Sequence, residues 1–288
     1  MLNRNIQSIS NSRLSPYLKI CDGNTIDAMC VYTSLQHRAA LYFTVIQEIE
    51  IAFRNELSYK IEEWLITDPS SPKVPLYEYF INPIYMSAYL NSEGQTQLTK
   101  AYKDVQRNYS SKFNKLKQKQ IKKAIKKGLV LPSDQQILAL VPMPNHNDMI
   151  SHLTFGFWVH LLNPDPIKNP NTTYWQNIFT NLFDNRFGTN LNLFTRLQDV
   201  LRFRNDLYHQ EAVWKNKGIK NPIKALQNLE TKFNNFLGYL SKISPERFTT
   251  INESYNLTNV MKQMFDQHKF SVEIENLREI FIGPGLTN

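Results

Sequence analysis

Apolar residues recur along this chain at the three-to-four-residue spacing of helices rather than in strand-like alternation, and five segments carry the pattern strongly. The first runs from about Ser34 to Leu65, with Tyr42, Phe43, Ile46, Ile49, Phe53, Leu57 and Ile61 on one face, and Asp68-Pro69-Ser70-Ser71-Pro72 stops it. Met149 to Leu162 is apolar enough for a buried helix, ended by Asn163-Pro164. A third helix is predicted over about Leu191 to Gln210 and a fourth over about Pro222 to Ile243, where Leu226, Leu229, Phe233, Phe236 and Leu240 share a stripe before Ser244-Pro245. A short amphipathic helix is expected near Asn256 to Lys269, with the tail after it partly loose. Between about 66 and 148, prolines flank a lysine-rich helix that ends at Gly128. These elements predict an all-α bundle.

The chain has 288 residues, enough to bury a substantial core without a disulfide or metal staple. Cys21 and Cys30 have no His or Cys cluster beside them, which argues against a disulfide framework and a zinc site and suits a reducing compartment. No apolar run is long enough for a membrane helix and the start lacks a secretory signal, so a cytoplasmic protein with no membrane partner is expected.

Charge changes the picture more. The net charge of +8 is concentrated: eleven Lys or Arg residues lie between Lys100 and Lys127 against one acidic residue, Asp104, with Tyr102, Tyr109 and Phe113 among them. A polyanion is the natural partner, since each neutralised phosphate releases counterions and rings can stack on bases. The plainer reading is a solvated helix face or basic arm. Neither GxxxxGK[ST] nor GxGxxG occurs, which removes ordinary nucleotide hydrolases and dinucleotide enzymes. His37, His146, His152, His160 and His268 are scattered without ligand spacing, so no metal or cofactor is expected, and Thr154 to Trp158 reads as core packing.

On a wheel of the third helix at about 100° per residue, Arg204 falls at about 340° from Leu197, amid Leu193, Phe194, Val200, Leu201, Leu207 and Tyr208. A guanidinium on an apolar stripe needs an anion, because it cannot deprotonate and its desolvation is costly. Glu50 falls on the apolar face of the first helix, making it the obvious protein partner of Arg204 or of its own i+4 neighbour Arg54. Arg204 is thus either half of a structural ion pair or a phosphate-binding group in a cleft. Asn205 and His209 are i,i+4 neighbours, so the amide could orient the imidazole. Arg204 and His209 stand about 140° apart, so one helix makes a poor active site and two facing copies a better one.

These residues resemble a known family. Arg204-Asn205-Asp206-Leu207-Tyr208-His209 fits the R-x4-6-H motif of the HEPN superfamily, and Ser12 to Leu18, Glu48 to Leu57, Ile150 to Leu162 and Leu201 to Val213 follow in the order seen in Abi-like (abortive-infection, AbiD/AbiF type) proteins. The resemblance spans most of residues 10 to 245. One departure stands out: many members read RNxxxHHE, and here the second His is Gln210.

The resemblance implies a HEPN-type domain over 1–245, with the basic insertion at about 66–148 and a C-terminal helical extension or tail over 246–288. It also implies a role in antiviral defence and metal-independent RNA cleavage in a homodimer. On that expectation His209 removes the 2′-OH proton, Arg204 binds the scissile phosphate, Asn205 holds the imidazole, and Glu50 and Arg54 support the site. Lys112, Lys115, Lys117, Lys119, Lys122, Lys123, Lys126 and Lys127 supply RNA affinity without sequence choice. The alternative is a non-catalytic protein that sequesters a structured non-coding RNA, and a third reading is an interaction module for an acidic partner.

Overall fold

A computed structural model describes residues 9–282, and every regular element among them is helical. In chain order these are α1 (Asn11–Ile20), α2 (Thr25–Ala39), α3 (Tyr42–Thr67), α4 (Leu76–Ile81), a 3-10 turn at Met86–Tyr89, α5 (Ser92–Lys127), α6 (Asp134–Leu138), α7 (His146–His152), α8 (Phe155–Leu161) and α9 (Thr172–Ile178). A second 3-10 turn at Leu182–Asn185 precedes α10 (Asn190–Tyr208), α11 (Pro222–Ile243), α12 (Pro245–Tyr255), α13 (Leu257–Met264) and α14 (Gln267–Ile282). The expected all-α architecture is what the chain adopts. None of the described helices is long and apolar enough to cross a membrane.

Two compact units divide the chain, one formed by 1–53 with 195–288 and the other by 54–194, with the divides inside α3 and α10. The predicted basic segment at 66–148 lies within the second unit. The extension beginning at 246 falls, as far as residue 282, in the first.

In the first unit the core gathers on Tyr42. Its ring lies 4.4 Å from that of Phe203 and 5.0 Å, edge-on, from that of Phe233, while its hydroxyl donates to the Leu229 carbonyl. Apolar stripes of α3, α10 and α11 thereby bury one another, and a fully buried aromatic contributes a few kcal/mol by leaving water. A second knot is Arg38, 2% exposed. Its Nε donates to the Met264 carbonyl at 2.6 Å, its Nη2 pairs with Glu273 at 2.8 Å, and its guanidinium lies over the Phe270 ring. Each polar edge of this buried cation is thus matched, as burial requires. Cys21 and Cys30 are free and buried, and burial pushes their thiols up to about 12 and about 11.

In the second unit, Tyr89 stacks on Tyr174 at 3.7 Å, Tyr79 shares a hydroxyl bond with Tyr174, and the Trp175 indole donates to the Tyr89 carbonyl. Phe155, Phe157 and Trp158 are buried, in keeping with a core role for that segment. Asn91 caps α5 by accepting from the Gly94 amide, and its own amide donates to the Lys168 carbonyl. Gly128 closes the same helix in the left-handed conformation at φ 61°, where the lack of a Cβ matters.

Several boundaries differ from expectation. The helix predicted over Ser34 to Leu65 is two, α2 and α3, separated at Ala40-Leu41. Neither residue breaks helices by its chemistry. The turn lets α2 pack on α1 and α14 while Tyr42 of α3 faces Phe203 and Phe233. Met149 to Leu162 is also split: Thr154 accepts from the Phe157 amide and starts α8 afresh. The segment after 269, expected to be partly loose, is helical to Ile282, and 283–288 lie outside the described residues.

Candidate functional site

The last turn of α10 sets the geometry. The Glu211 amide donates to the Asp206 carbonyl at 2.8 Å and the Gln210 amide to the Leu207 carbonyl at 3.0 Å, a Schellman closure with Gln210 in the left-handed region at φ 56°. Glycine or asparagine is the usual residue there, so Gln210 carries backbone strain. Part of it is offset by the Arg13 guanidinium, which donates to the Gln210 side chain at 3.3 Å.

Beyond the cap, Ala212, Val213 and Trp214 are buried, and the Trp214 ring meets Tyr17 edge-on at 5.4 Å. The Asn228 amide of α11 donates to the Trp214 carbonyl at 2.7 Å, and the Lys232 amine to the Val213 carbonyl at 2.6 Å. The returning chain is thereby pinned to α11. Between it, α10 and α11 lies an open groove of about 830 Å³.

His209 lines this groove and is exposed, and among the described residues its imidazole takes no hydrogen bond, leaving both ring nitrogens available to a ligand. Cations enter from three sides: Arg196 and Arg202 from α10, Lys215 from the returning chain and Lys232 from α11. Asp199, Asp206 and Glu211 also line it, so the groove is mixed in charge. Burial lowers the Lys232 ammonium below the ordinary lysine value, against the opposing pull of Asp206 and Asp199. The pattern read from the sequence did not single out Lys232. A wheel of α11 would have, since at about 100° per residue it falls about 60° from Leu229, beside the apolar stripe.

Arg204 does not line the groove. Its Nε lies 3.4 Å from Glu50 Oε2, the side chains being 28% and 17% exposed, and its guanidinium sits 5.0 Å from the centre of the Tyr208 ring. The structure therefore brings Arg204 to Glu50, as the two wheels suggest, and turns it away from the groove that His209 lines. Leu193, Phe194, Leu197, Val200 and Leu207 are buried as expected, Leu201 is half-buried, and Phe203, which the wheel did not place on the stripe, is buried too. Tyr208, placed on the apolar stripe by the wheel, is 57% exposed. Compared with Arg38, Arg204 is loosely held: one long ion pair and one ring face, each worth at most about 1 kcal/mol.

Asn205 is exposed, and among the described residues its side chain does not bond the imidazole. The link between the two is the His209 amide donating to the Asn205 carbonyl at 3.0 Å. Arg54 belongs to the second unit, and its Nε is buried without a hydrogen-bond partner among the described residues.

No family model, no curated protein and no solved structure matches this chain. The site has to be read from its own chemistry.

On α5, Lys112, Lys115, Lys119, Lys122, Lys123, Lys126 and Lys127 are exposed. Lys117 departs from the set: it is half-buried, pairs with Asp134 at 2.7 Å and lies over the Phe113 ring, so it ties α5 to α6. Of the rings read as possible base platforms, Tyr109 donates its hydroxyl to Met143 and Phe113 is half-buried, whereas Tyr102 is exposed. From Gln106 to Lys123 no residue of α5 is buried, so this stretch is solvated nearly all round. Among the described residues no group of three His, Cys, Asp or Glu side chains is placed to hold a metal ion.

Proposed function

We propose that this protein is a metal-independent endoribonuclease of the abortive-infection type, acting in antiviral defence as a cytoplasmic homodimer. His209 takes the proton from a ribose 2′-OH. The freed oxygen attacks the adjacent phosphorus, the 5′-oxygen leaves with a proton, and a 2′,3′-cyclic phosphate remains. Arg204 meets the charge that builds on the phosphate, and His209 of a second copy supplies the departing proton.

The observation that carries this reading is the imidazole of His209, exposed at a groove with four cations on its walls and unengaged by any described residue. Arg204 adds support, because its weak hold on Glu50 is one that a phosphate can displace at little cost. Its orientation away from the His209 groove is why the reading requires two copies. Purified wild type should shorten an oligoribonucleotide in the presence of a chelator, and His209→Ala should not. Equal cleavage by both would overturn the mechanism.

A second reading, sequestration of a structured RNA without chemistry, is favoured by the exposed lysines of α5, which suit a phosphate backbone and need no active site. Copurified RNA that stays whole for hours supports storage; progressive shortening supports the enzyme.

A further inference from the structure

Lys232 differs from the other buried or half-buried cations of the first unit. Arg38 is matched on every side, Arg278 pairs with Asp27 at 2.7 Å, and Arg247 pairs with Glu48 at 2.6 Å. Lys232 is half-buried, with its ammonium 5.6 Å from the centre of the Phe203 ring and one donor spent on the Val213 carbonyl. No carboxylate forms an ion pair with it among the described residues. An ammonium has three N–H donors, so two remain, beside a groove of a size that suits small ligands. Asp206 and Asp199 act on this charge only from beyond ion-pair distance, so the groove leaves room for an arriving anion.

We propose that Lys232 is a phosphate-binding residue of the groove, seating one RNA phosphate on the same wall system as His209. The inference rests on the ribonuclease reading above and adds the cation that Arg204, turned toward Glu50, does not provide in the same protomer. Three carboxylates in the groove exclude a crowded polyanion and fit a single phosphodiester whose neighbouring bases present amino donors, as adenine, cytosine and guanine do. The hydrogen bond to the Val213 carbonyl already holds the amine in place, so little side-chain entropy is lost when phosphate arrives.

The test uses the full chain in the His209→Ala background, so that RNA stays whole, and a fluorescent oligoribonucleotide of about 12 nucleotides as probe, long enough to cover a single-strand site. Adding Lys232→Met, which keeps the apolar stem, should weaken binding about ten- to hundredfold. It should also reduce the slope of log affinity against log salt by about 0.7, the value of one neutralised single-strand phosphate. Lys232→Arg should keep that slope. A second measurement leaves Lys232 in place: its acetylation by an amine-reactive ester, read by peptide mass spectrometry on the His209→Ala protein, should slow when the oligonucleotide is bound. Unchanged slope, affinity and acetylation in a protein that binds RNA would overturn this assignment and leave the ribonuclease reading standing. Failure of the wild type and of His209→Ala to bind RNA at all would overturn both.

Discussion

The two cationic regions of this molecule are built on opposite principles. The groove of the first unit places Arg196, Arg202, Lys215 and Lys232 among Asp199, Asp206 and Glu211, pins its walls through buried Val213 and Trp214, and exposes one imidazole. The helix α5 of the second unit carries seven exposed lysines between Lys112 and Lys127, with almost no acidic counterweight and little packing along its middle. The first arrangement can discriminate position, because Lys232 is half-buried and held to the Val213 carbonyl, and the exposed Arg196, Arg202 and Lys215 stand among carboxylates of opposite sign. The second can supply only affinity, because mobile solvated ammonium groups meet any phosphate equally. A protein that both captures RNA and acts on it would need the two kinds.

That division can be broken from either side. The largest effect is expected at His209: the alanine variant removes the general base and, in the second copy, the general acid, so cleavage should fall by at least about 10⁴-fold, with RNA affinity within a factor of about two. Next is Arg204→Ala, predicted to cost about 10²- to 10³-fold in cleavage while lowering stability by no more than about 1–2 kcal/mol. Arg38→Ala should do the reverse. It would cost about 2–3 kcal/mol in a urea melt by leaving the Met264 carbonyl unmatched and the partly exposed Glu273 without its partner.

Exchanging the seven exposed lysines between Lys112 and Lys127 for Gln should weaken RNA binding about a hundredfold at moderate salt and flatten its salt dependence by about 0.7 for each phosphate no longer neutralised. The loss should sit in affinity, so that saturating RNA restores cleavage. If the same substitutions abolished cleavage at saturating RNA, the two regions would not divide the work. The smallest effect concerns the cap: Gln210→Gly relieves a left-handed side chain while giving up the hydrogen bond from Arg13, for a net gain of about 0.5–1 kcal/mol, visible as a rise of about 1–3 °C in Tm.

How much of this was legible in the sequence depended on whether a local pattern carried the signal. Two wheels put Glu50 and Arg204 each on an otherwise apolar face and left Glu50 with Arg204 or Arg54 as partner, a choice that only the structure makes, in favour of Arg204, whereas the end of α5 followed from Gly128. The turn at Ala40-Leu41 was not legible, because no side chain there disfavours helix and only the packing of α2 against α1 and α14 demands a break. Thr154 carried a readable capping signal inside a segment whose hydrophobicity masked it. Asn205 and His209 looked coupled by spacing, but the helix ends between them, and the left-handed turn at Gln210 bears no Gly to announce it. Lys117 could not be told from its neighbours, as its partner Asp134 lies across a turn. Lys232 was within reach of the reasoning that found Arg204. Its significance lies in what it lacks, a counter-ion, and that is visible only in three dimensions.

The most direct measurement is the chemistry of the ends. An oligoribonucleotide incubated with purified protein and a chelator, then analysed by mass spectrometry, should yield fragments ending in a 2′,3′-cyclic phosphate, and a 2′-deoxy substitution at the cleaved position should block the cut. Fragments ending in a 3′-hydroxyl, or cleavage that ignores the missing 2′-hydroxyl, would contradict the account.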